Sequence, residues 1–361
     1  MKKIFIAALV IFSSCQKDVS VDNVPPFDLD ADILFMSRVN HPEGERSEMV
    51  IINTDGKNRR VVSNRFLSFS WPVISHNGKK IAFLAAANYE SDLYITGVDG
   101  QGEKLIAKNQ WNQPAFSPDD KRITFLKDNP NLPGYTDIYS VDIDGGNELR
   151  LTNQNNNFSP LFLPDNSGII FIATLTTDIR SPDWWYGIYR MNIDGSNKKL
   201  LTPPGKSFGS LSISPDGKKI AATTKTSCNC NELAVMNTDG SGLKQITFSG
   251  AHCTPANWSP DSRKLAYTKV DYNAGYGSIY TIGIDGLGNN KLFDGAGTGQ
   301  TSSAWSSDGK YLLFTSASKQ PVGQQPSWKY SLQAGRVDGA LITSIIENQS
   351  MPLLNPIIIK K

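Results

Sequence analysis

Between residues 210 and 247 the chain alternates four short apolar runs, LSIS, KIAATT, LAVMN and LKQIT, with polar interruptions. SPDG fills the first gap, a loop around CNCN the second and TDGSG the third. Pro215 presets φ for a turn that Asp216 and Gly217 complete, and Asp239-Gly240 is a strong hairpin signal. Runs of this length, rich in Ile, Val, Leu and Thr, read as strands. The unit is a four-stranded antiparallel meander. It cannot cover both of its own faces and needs copies on either side.

The copies are present. Asp-Gly recurs at Asp55-Gly56, Asp99-Gly100, Asp144-Gly145, Asp194-Gly195, Asp239-Gly240, Asp285-Gly286 and Asp338-Gly339. The SPDG-type turn appears six times, opening at Ser75, Ser117, Pro164, Ser214, Ser259 and Ser307. A second strand follows each: KKIAFL, KRITFL, GIIFIA, KKIAAT, RKLAYT and KYLLFT. Third strands recur as SDLYITG, TDIYSVD, YGIYRMN, NELAVMN and GSIYTIG. The period and strand count are those of propeller blades.

Seven Asp-Gly turns against six SPDG-type turns point to a blade that lacks its first strand. ADILFMSR, SEMVIINTDG and KNRRVVS supply strands two to four of that blade, and the C-terminal NQSMPLLNPIIIKK supplies the first. In this reading residues 349–356 parallel residues 112–118, a first strand and its turn. The expected fold is all-β, a seven-bladed β-propeller of four-stranded antiparallel blades over 31–361, its first blade completed by the C-terminal strand. The alternative is six blades with a loose tail. Closing the ring this way leaves no open end.

Lys2 and Lys3 precede an apolar stretch at residues 4–12, too short to span a bilayer. Ser13-Ser14-Cys15 resembles the lipobox of bacterial lipoproteins, although Phe12 departs from the usual residue. The resemblance implies a signal peptide over 1–14, acylation of Cys15 and an outer-membrane lipoprotein facing periplasm or medium. Residues 16–30 are polar, contain Pro25-Pro26 and read as a flexible tether.

The SPDGKKIAF-like and DIYxMNIDG-like repeats resemble the TolB-type, or WD-like, β-propeller repeats of bacterial envelope proteins. That resemblance implies the fold rather than a particular activity. It points to an envelope protein or polysaccharide partner.

Strand order fixes two faces. The SPDG and Asp-Gly turns lie on one, short and uniform. Loops joining strands two to three, and blade to blade, lie on the other and vary in length: 39–47, 127–136, 173–187, 225–231, 269–277 and 316–328. Variation on one face of a rigid array marks a binding side. Tyr135, Trp184, Trp185, Tyr186, Tyr272, Tyr276 and Trp328 fall there as ligand-binding candidates, since aromatic platforms suit sugars and peptide side chains. They also suit packing of the loops onto the blades. Trp71, Trp258 and Trp305 fall on first strands and are expected in the core.

Cys228, Cys230 and Cys253 lie on the loop side of blade five. An oxidising compartment makes a disulfide from Cys253 to Cys228 or Cys230 the first expectation. Three reduced thiols, or a metal held by Cys228, Cys230, His252 and Cys253, are alternatives. The stretches around Asp144 and Asp194 resemble the start of a calcium loop but lack its later acidic ligand, and read as hairpin turns.

No HExxH, P-loop or strand-following GxGxxG is present, and no cofactor is expected. The chain carries 36 Lys and Arg against 34 Asp and Glu, and loss of Lys2 and Lys3 with the leader balances them. No basic cluster tracks a face, so nucleic acid is not expected as a partner. The sequence favours a monomeric, non-catalytic binding module touching the membrane only through its lipid. A glycan-active lyase or hydrolase at the channel mouth is the alternative.

Overall fold

The computed structural model describes residues 31–41, 44–86, 91–154, 156–176, 178, 180–181, 185–254, 256–271, 276–293, 303–320, 327–339, 342–349 and 353–360. The leader, Cys15 and the tether lie outside these residues. Blade one begins with β1 (Ala31–His41), β2 (Gly44–Asn53) and β3 (Arg60–Ser63). Blade two is β4 (Ser68–Ile74), β5 (Lys80–Ala86), β6 (Ser91–Gly97) and β7 (Lys104–Ala107). Blade three is β8 (Trp111–Phe116), β9 (Arg122–Asp128), β10 (Thr136–Asp142) and β11 (Leu149–Arg150). Blade four is β12 (Asn157–Phe162), β13 (Ile169–Thr174), β14 (Tyr186–Met191) and β15 (Lys199–Leu200). Blade five is β16 (Phe208–Ile213), β17 (Lys219–Lys225), β18 (Asn231–Asn237) and β19 (Lys244–Gln245). In blade six, β20 (His252–Cys253) and β21 (Asn257–Trp258) share the place of the first strand, followed by β22 (Lys264–Asp271), β23 (Tyr276–Gly283) and β24 (Asn290–Phe293). Blade seven is β25 (Ser303–Trp305), β26 (Tyr311–Gln320), β27 (Ser327–Arg336) and β28 (Ile342–Gln349). The last strand, β29 (Leu353–Lys360), returns to blade one and pairs antiparallel with β1.

The ring is closed with seven blades. Each innermost strand lies against the next: β4 on β8, then β12, β16, β21, β25, β29 and back to β4. The joining strand sits differently from its expected alignment. Asp32 pairs with Ile359 and Met36 with Leu354, with a register shift between them. Pro356 therefore lies inside the strand, buried, where β4, β8 and β12 carry Pro72, Pro114 and Pro160, rather than in a turn. A proline has no N–H to donate, so it fits the irregular position of a strand.

Seven apolar clusters fill the seven joints. Because both faces of a blade are covered, its second strand is apolar without alternation. In β5, Ile81, Phe83 and Ala85 pack toward blade one while Ala82 and Leu84 pack toward blade three. Stacked cross-strand rings recur between second and third strands, as Phe83–Tyr94, Phe125–Tyr139, Phe171–Tyr189 and Tyr267–Tyr280.

The turn face repeats two devices. Ser117 Oγ donates to Asp119 Oδ1 at 2.6 Å and accepts from Arg122 N at 2.9 Å. The same circle recurs at Ser214, Ser259 and Ser306. In the Asp-Gly turn the aspartate accepts from the N–H two residues on, as Asp239 does from Ser241 at 2.8 Å. The stretches around Asp144 and Asp194 are hairpin turns of this kind. The glycine, at positive φ, sits over a carbonyl of the preceding blade's fourth strand. A Cβ on Gly56, Gly100, Gly195 or Gly240 would lie 2.6–2.8 Å from the oxygen of Ile345, Val62, Leu151 or Leu201. Joint 6/7 departs from this pattern. Gly339 meets nothing within 4 Å, and a cleft of about 390 Å³ opens beside Trp305 and Val337. That joint is held instead by Phe293, whose ring lies over Gly335 and stacks on Phe314 at 4.7 Å.

Candidate binding face and channel

Several variable loops of the sequence reading are continued strand ladders. β1 and β2 stay paired to His41↔Gly44, β22 and β23 to Asp271↔Tyr276, and β26 and β27 to Gln320↔Ser327. Blades six, seven and one are neighbours, so these hairpins raise one continuous arc of the loop face. In blades three, four and five the corresponding ladders stop earlier, at Asp128↔Thr136, Thr174↔Tyr186 and Lys225↔Asn231.

In blades two to five the innermost strands bulge. Trp71, Asn112, Ser159 and Ser210 all have positive φ, and each coincides with a register shift against the second strand. Trp71 is the outlier among them. Its φ of 46° places a bulky ring in the left-handed region, which costs about 1–2 kcal/mol for a residue with a Cβ. The expectation that it packs in the core is wrong: it is 42% exposed. Solvent beside an inner strand flanked by two blades is the central channel, so the ring faces that channel. Trp258 is buried as expected, and Trp305 is half-buried with Nε1 donating to Asn257 O at 3.0 Å.

Two further apolar side chains stand on the blade-to-blade connections of this face. Leu67 is 53% exposed before β4, and Phe248 is 80% exposed before β20. Ring order puts their joints, one/two and five/six, nearly across the ring from each other.

Tyr135, Trp185 and Tyr186 lie on the loop face and are half-buried. Tyr186 packs edge-on against Phe158, ring centroids 5.7 Å apart. Tyr276 and Trp328 stand at the tops of the blade six and seven hairpins, opposite Asp271 and Lys319. Trp184 and Tyr272 lie outside the described residues.

The cysteines pair differently from expectation. Cys228 and Cys230 are joined to each other, and Cys253 is a buried free thiol. Cys253 belongs to the first strand of blade six, beneath the connection that follows blade five. It faces Glu232 at 3.6 Å rather than another sulfur. Burial, and then the Glu232 carboxylate, push its thiol up to about 11. Glu232 also accepts from Thr247 Oγ1 at 2.5 Å, Ser249 Oγ at 3.1 Å and Gly250 N at 2.7 Å. The disulfide removes two thiolates from the alternative metal set. Among the described residues no three His, Cys, Asp or Glu side chains are gathered as metal ligands.

The same position in joint 3/4 holds Asp137. It is fully buried and accepts from Arg150 Nη2 at 2.5 Å, Thr152 Oγ1 at 3.1 Å and Asn157 Nδ2 at 3.3 Å. Burial raises its carboxyl above the usual range, opposed by the Arg150 guanidinium. This network ties two blades together and faces no opening.

Residues 29–269 match the PD40 TolB β-propeller domain. The chain belongs to the TolB-type β-propeller family. TolB from Acinetobacter baumannii has a similar structure, with a TM-score of 0.56 and 22% identity over 72% of this chain. The chain spans 62% of the length of that protein. An oligogalacturonate lyase in complex with manganese is similar at a TM-score of 0.61 and 12% identity, over 80% of this chain and 84% of the lyase. The β-propeller domain of the Trilobed protease from Pyrococcus furiosus reaches 0.62 at 16% identity, over 89% and 93% of the two chains. At these identities the likeness is one of fold. That protease domain is described as an open velcro topology; in the present TolB-type ring β29 closes blade one.

Among the described residues, the loop face of this TolB-type propeller offers exposed apolar and aromatic surface rather than a gathered set of titratable groups. His76 sits on the turn face, its Nδ1 3.1 Å from Asp120, and His252 is on β20. Among the described residues no helix is long and apolar enough to cross a membrane.

Proposed function

We propose that the chain is a non-catalytic binding module, held at a bacterial envelope membrane by acylated Cys15, that takes a partner at the loop-face mouth of its channel. Trp71 carries this reading. A large aromatic ring that is exposed and held on a strained backbone contributes little to folding, and strain of this kind gathers at functional sites. Leu67 and Phe248 extend the apolar surface across the mouth, and the arc of hairpins over blades six, seven and one would wall it on one side. Purely apolar anchors such as Leu67 and Phe248 suit the buried centre of a protein interface better than the hydroxyl-rich face of a glycan. A protein partner is therefore favoured over a polysaccharide.

The test is affinity capture from a detergent-solubilised envelope extract with the wild-type chain and with Trp71→Ala/Phe248→Ala. The double variant should fold and lose the captured protein at least tenfold, the loss of about two anchor residues. Undiminished capture would move the site elsewhere. Turnover of a polyuronide by the wild-type chain, with or without a divalent cation, would replace this reading with a glycan-active enzyme.

A further inference from the structure

The loop between β17 and β18 carries Cys228-Asn229-Cys230, which neither the fold nor the channel mouth uses. The loop is closed by its own backbone. Thr226 N donates to Cys230 O at 3.0 Å and Asn229 N to Thr226 O at 2.9 Å, while Thr226 Oγ1 donates to Cys230 O at 3.2 Å. Asn229 has φ 59°, a left-handed conformation that asparagine tolerates. This turn brings the two cysteine Cα atoms to 5.2 Å, where the sulfurs are joined. Cys228 is exposed and Cys230 is buried.

A cross-link that closes so short a loop removes little freedom from the unfolded chain, and the turn does not depend on it. The bond therefore has little structural work to do, and one of its sulfurs is open to attack. We propose that Cys228 and Cys230 are a redox-active pair that exchanges with external thiols, with Cys228 as the sulfur attacked. An external thiolate, from a low-molecular-weight thiol or a partner's cysteine, bonds to Cys228 Sγ. The Cys228–Cys230 bond breaks, and its electron pair leaves on Cys230 Sγ, which takes a proton. A second external thiolate then attacks the external sulfur of this mixed disulfide and releases Cys228 as a thiolate, which is protonated in turn. Two external thiols become one external disulfide, and the protein gains two electrons and two protons. The reverse sequence, driven by an external disulfide, restores the bond. Thr226 Oγ1, 3.1 Å from Cys228 Sγ, stands where it can hydrogen-bond the released thiolate. Cys253 takes no part, because it is buried and remains a thiol at neutral pH.

The full chain equilibrated at neutral pH in glutathione buffers of graded reduced-to-oxidised ratio, then alkylated and weighed, tests the proposal. Two alkylatable thiols should appear and disappear reversibly with the ratio, at an unchanged thermal transition, and with the same midpoint in Cys253→Ser. Cys230→Ser should gain the mass of one glutathione on Cys228, and Cys228→Ser should gain none on Cys230. A pair that stays oxidised at every ratio, or stays reduced at every ratio, overturns the proposal. So does a pair that opens only as the protein unfolds. Glutathione found on Cys230 instead of Cys228 overturns the assigned order of attack.

Discussion

The two ends of each joint are built on opposite terms. At the turn face six of the seven joints place an Asp-Gly glycine near the preceding blade's fourth-strand backbone. At the loop face the corresponding position, the second residue of the third strand, is used differently in each of blades two to five. Asp92 caps Asn109 N in blade two, and Asp137 pairs with Arg150 in blade three. Gly187 lies under Leu200 in blade four, and Glu232 gathers hydroxyls, an N–H and a thiol in blade five. Where ring closure demands one geometry, the residues repeat. Where it does not, they are free to differ, and some of that freedom goes to local structure and some to recognition. Exposure separates the two uses: Asp137 and Glu232 are buried and internally satisfied, whereas Trp71 is exposed and strained.

The largest effect expected from breaking this comparison is at Asp137. Arg150→Ala strands a buried carboxylate and should cost about 3–5 kcal/mol at neutral pH. The Asp137 carboxyl is already raised by burial, and loss of the guanidinium raises it further. A carboxyl raised in the folded state is penalised while ionised, so the deficit should shrink as pH falls through its folded pKa and a proton is taken up. Denaturant titrations at neutral and acidic pH check this, and a deficit independent of pH would contradict it.

A matched pair of glycines sharpens the turn-face half. Gly195 and Gly205 have φ of 84° and 81°, but a Cβ on Gly195 meets Leu151 O at 2.6 Å while one on Gly205 meets nothing within 4 Å. Gly205→Ala should cost about 1–2 kcal/mol from backbone conformation alone. Gly195→Ala should cost about 2–4 kcal/mol because overpacking is added. Equal losses in chemical denaturation would remove the close-approach account of the turns.

On the other half, Trp71→Gly relieves the strained φ and should leave stability unchanged or raised by up to about 1 kcal/mol. A loss of several kcal/mol would mean the ring is core after all. The smallest effect expected is acidic. Serine hydroxyls hold Asp119, Asp216 and Asp239 below the usual carboxylate range. Their contribution is complete above the unfolded pKa and fades as pH falls through the folded one. Ser117→Ala should flatten the acid side of the thermal-stability profile slightly, and an unchanged profile would count against the Ser–Asp circle.

Much of this architecture is legible in the residues because the turns are chemical. Asp-Gly and Ser-Pro-Asp-Gly name their own geometry, and the apolar second strands announce burial on both sides. The departures come where backbone irregularity decides. Trp71 precedes Pro72 much as Gln113 precedes Pro114, yet a bulge of the inner strand turns it toward the channel, and no pattern of apolar residues encodes that turn. A similar bulge moves Pro356 from a turn into β29. Cys253 faces Glu232 because the first strand of blade six is split into β20 and β21, which sequence spacing does not reveal. Phe293 over Gly335 was readable in principle. Equivalent third-strand positions carry Ile52, Met191, Met236 and Ile282, so a glycine there needed a large neighbour to fill the space.

The claim that the two faces do different work is tested most directly by a photo-crosslinking amino acid placed in the living cell at position 71 or 248, and separately at position 99 on the turn face. The account predicts one envelope protein joined to the chain from positions 71 and 248 and not from position 99. The same protein joined from position 99, with none from 71 or 248, would contradict it.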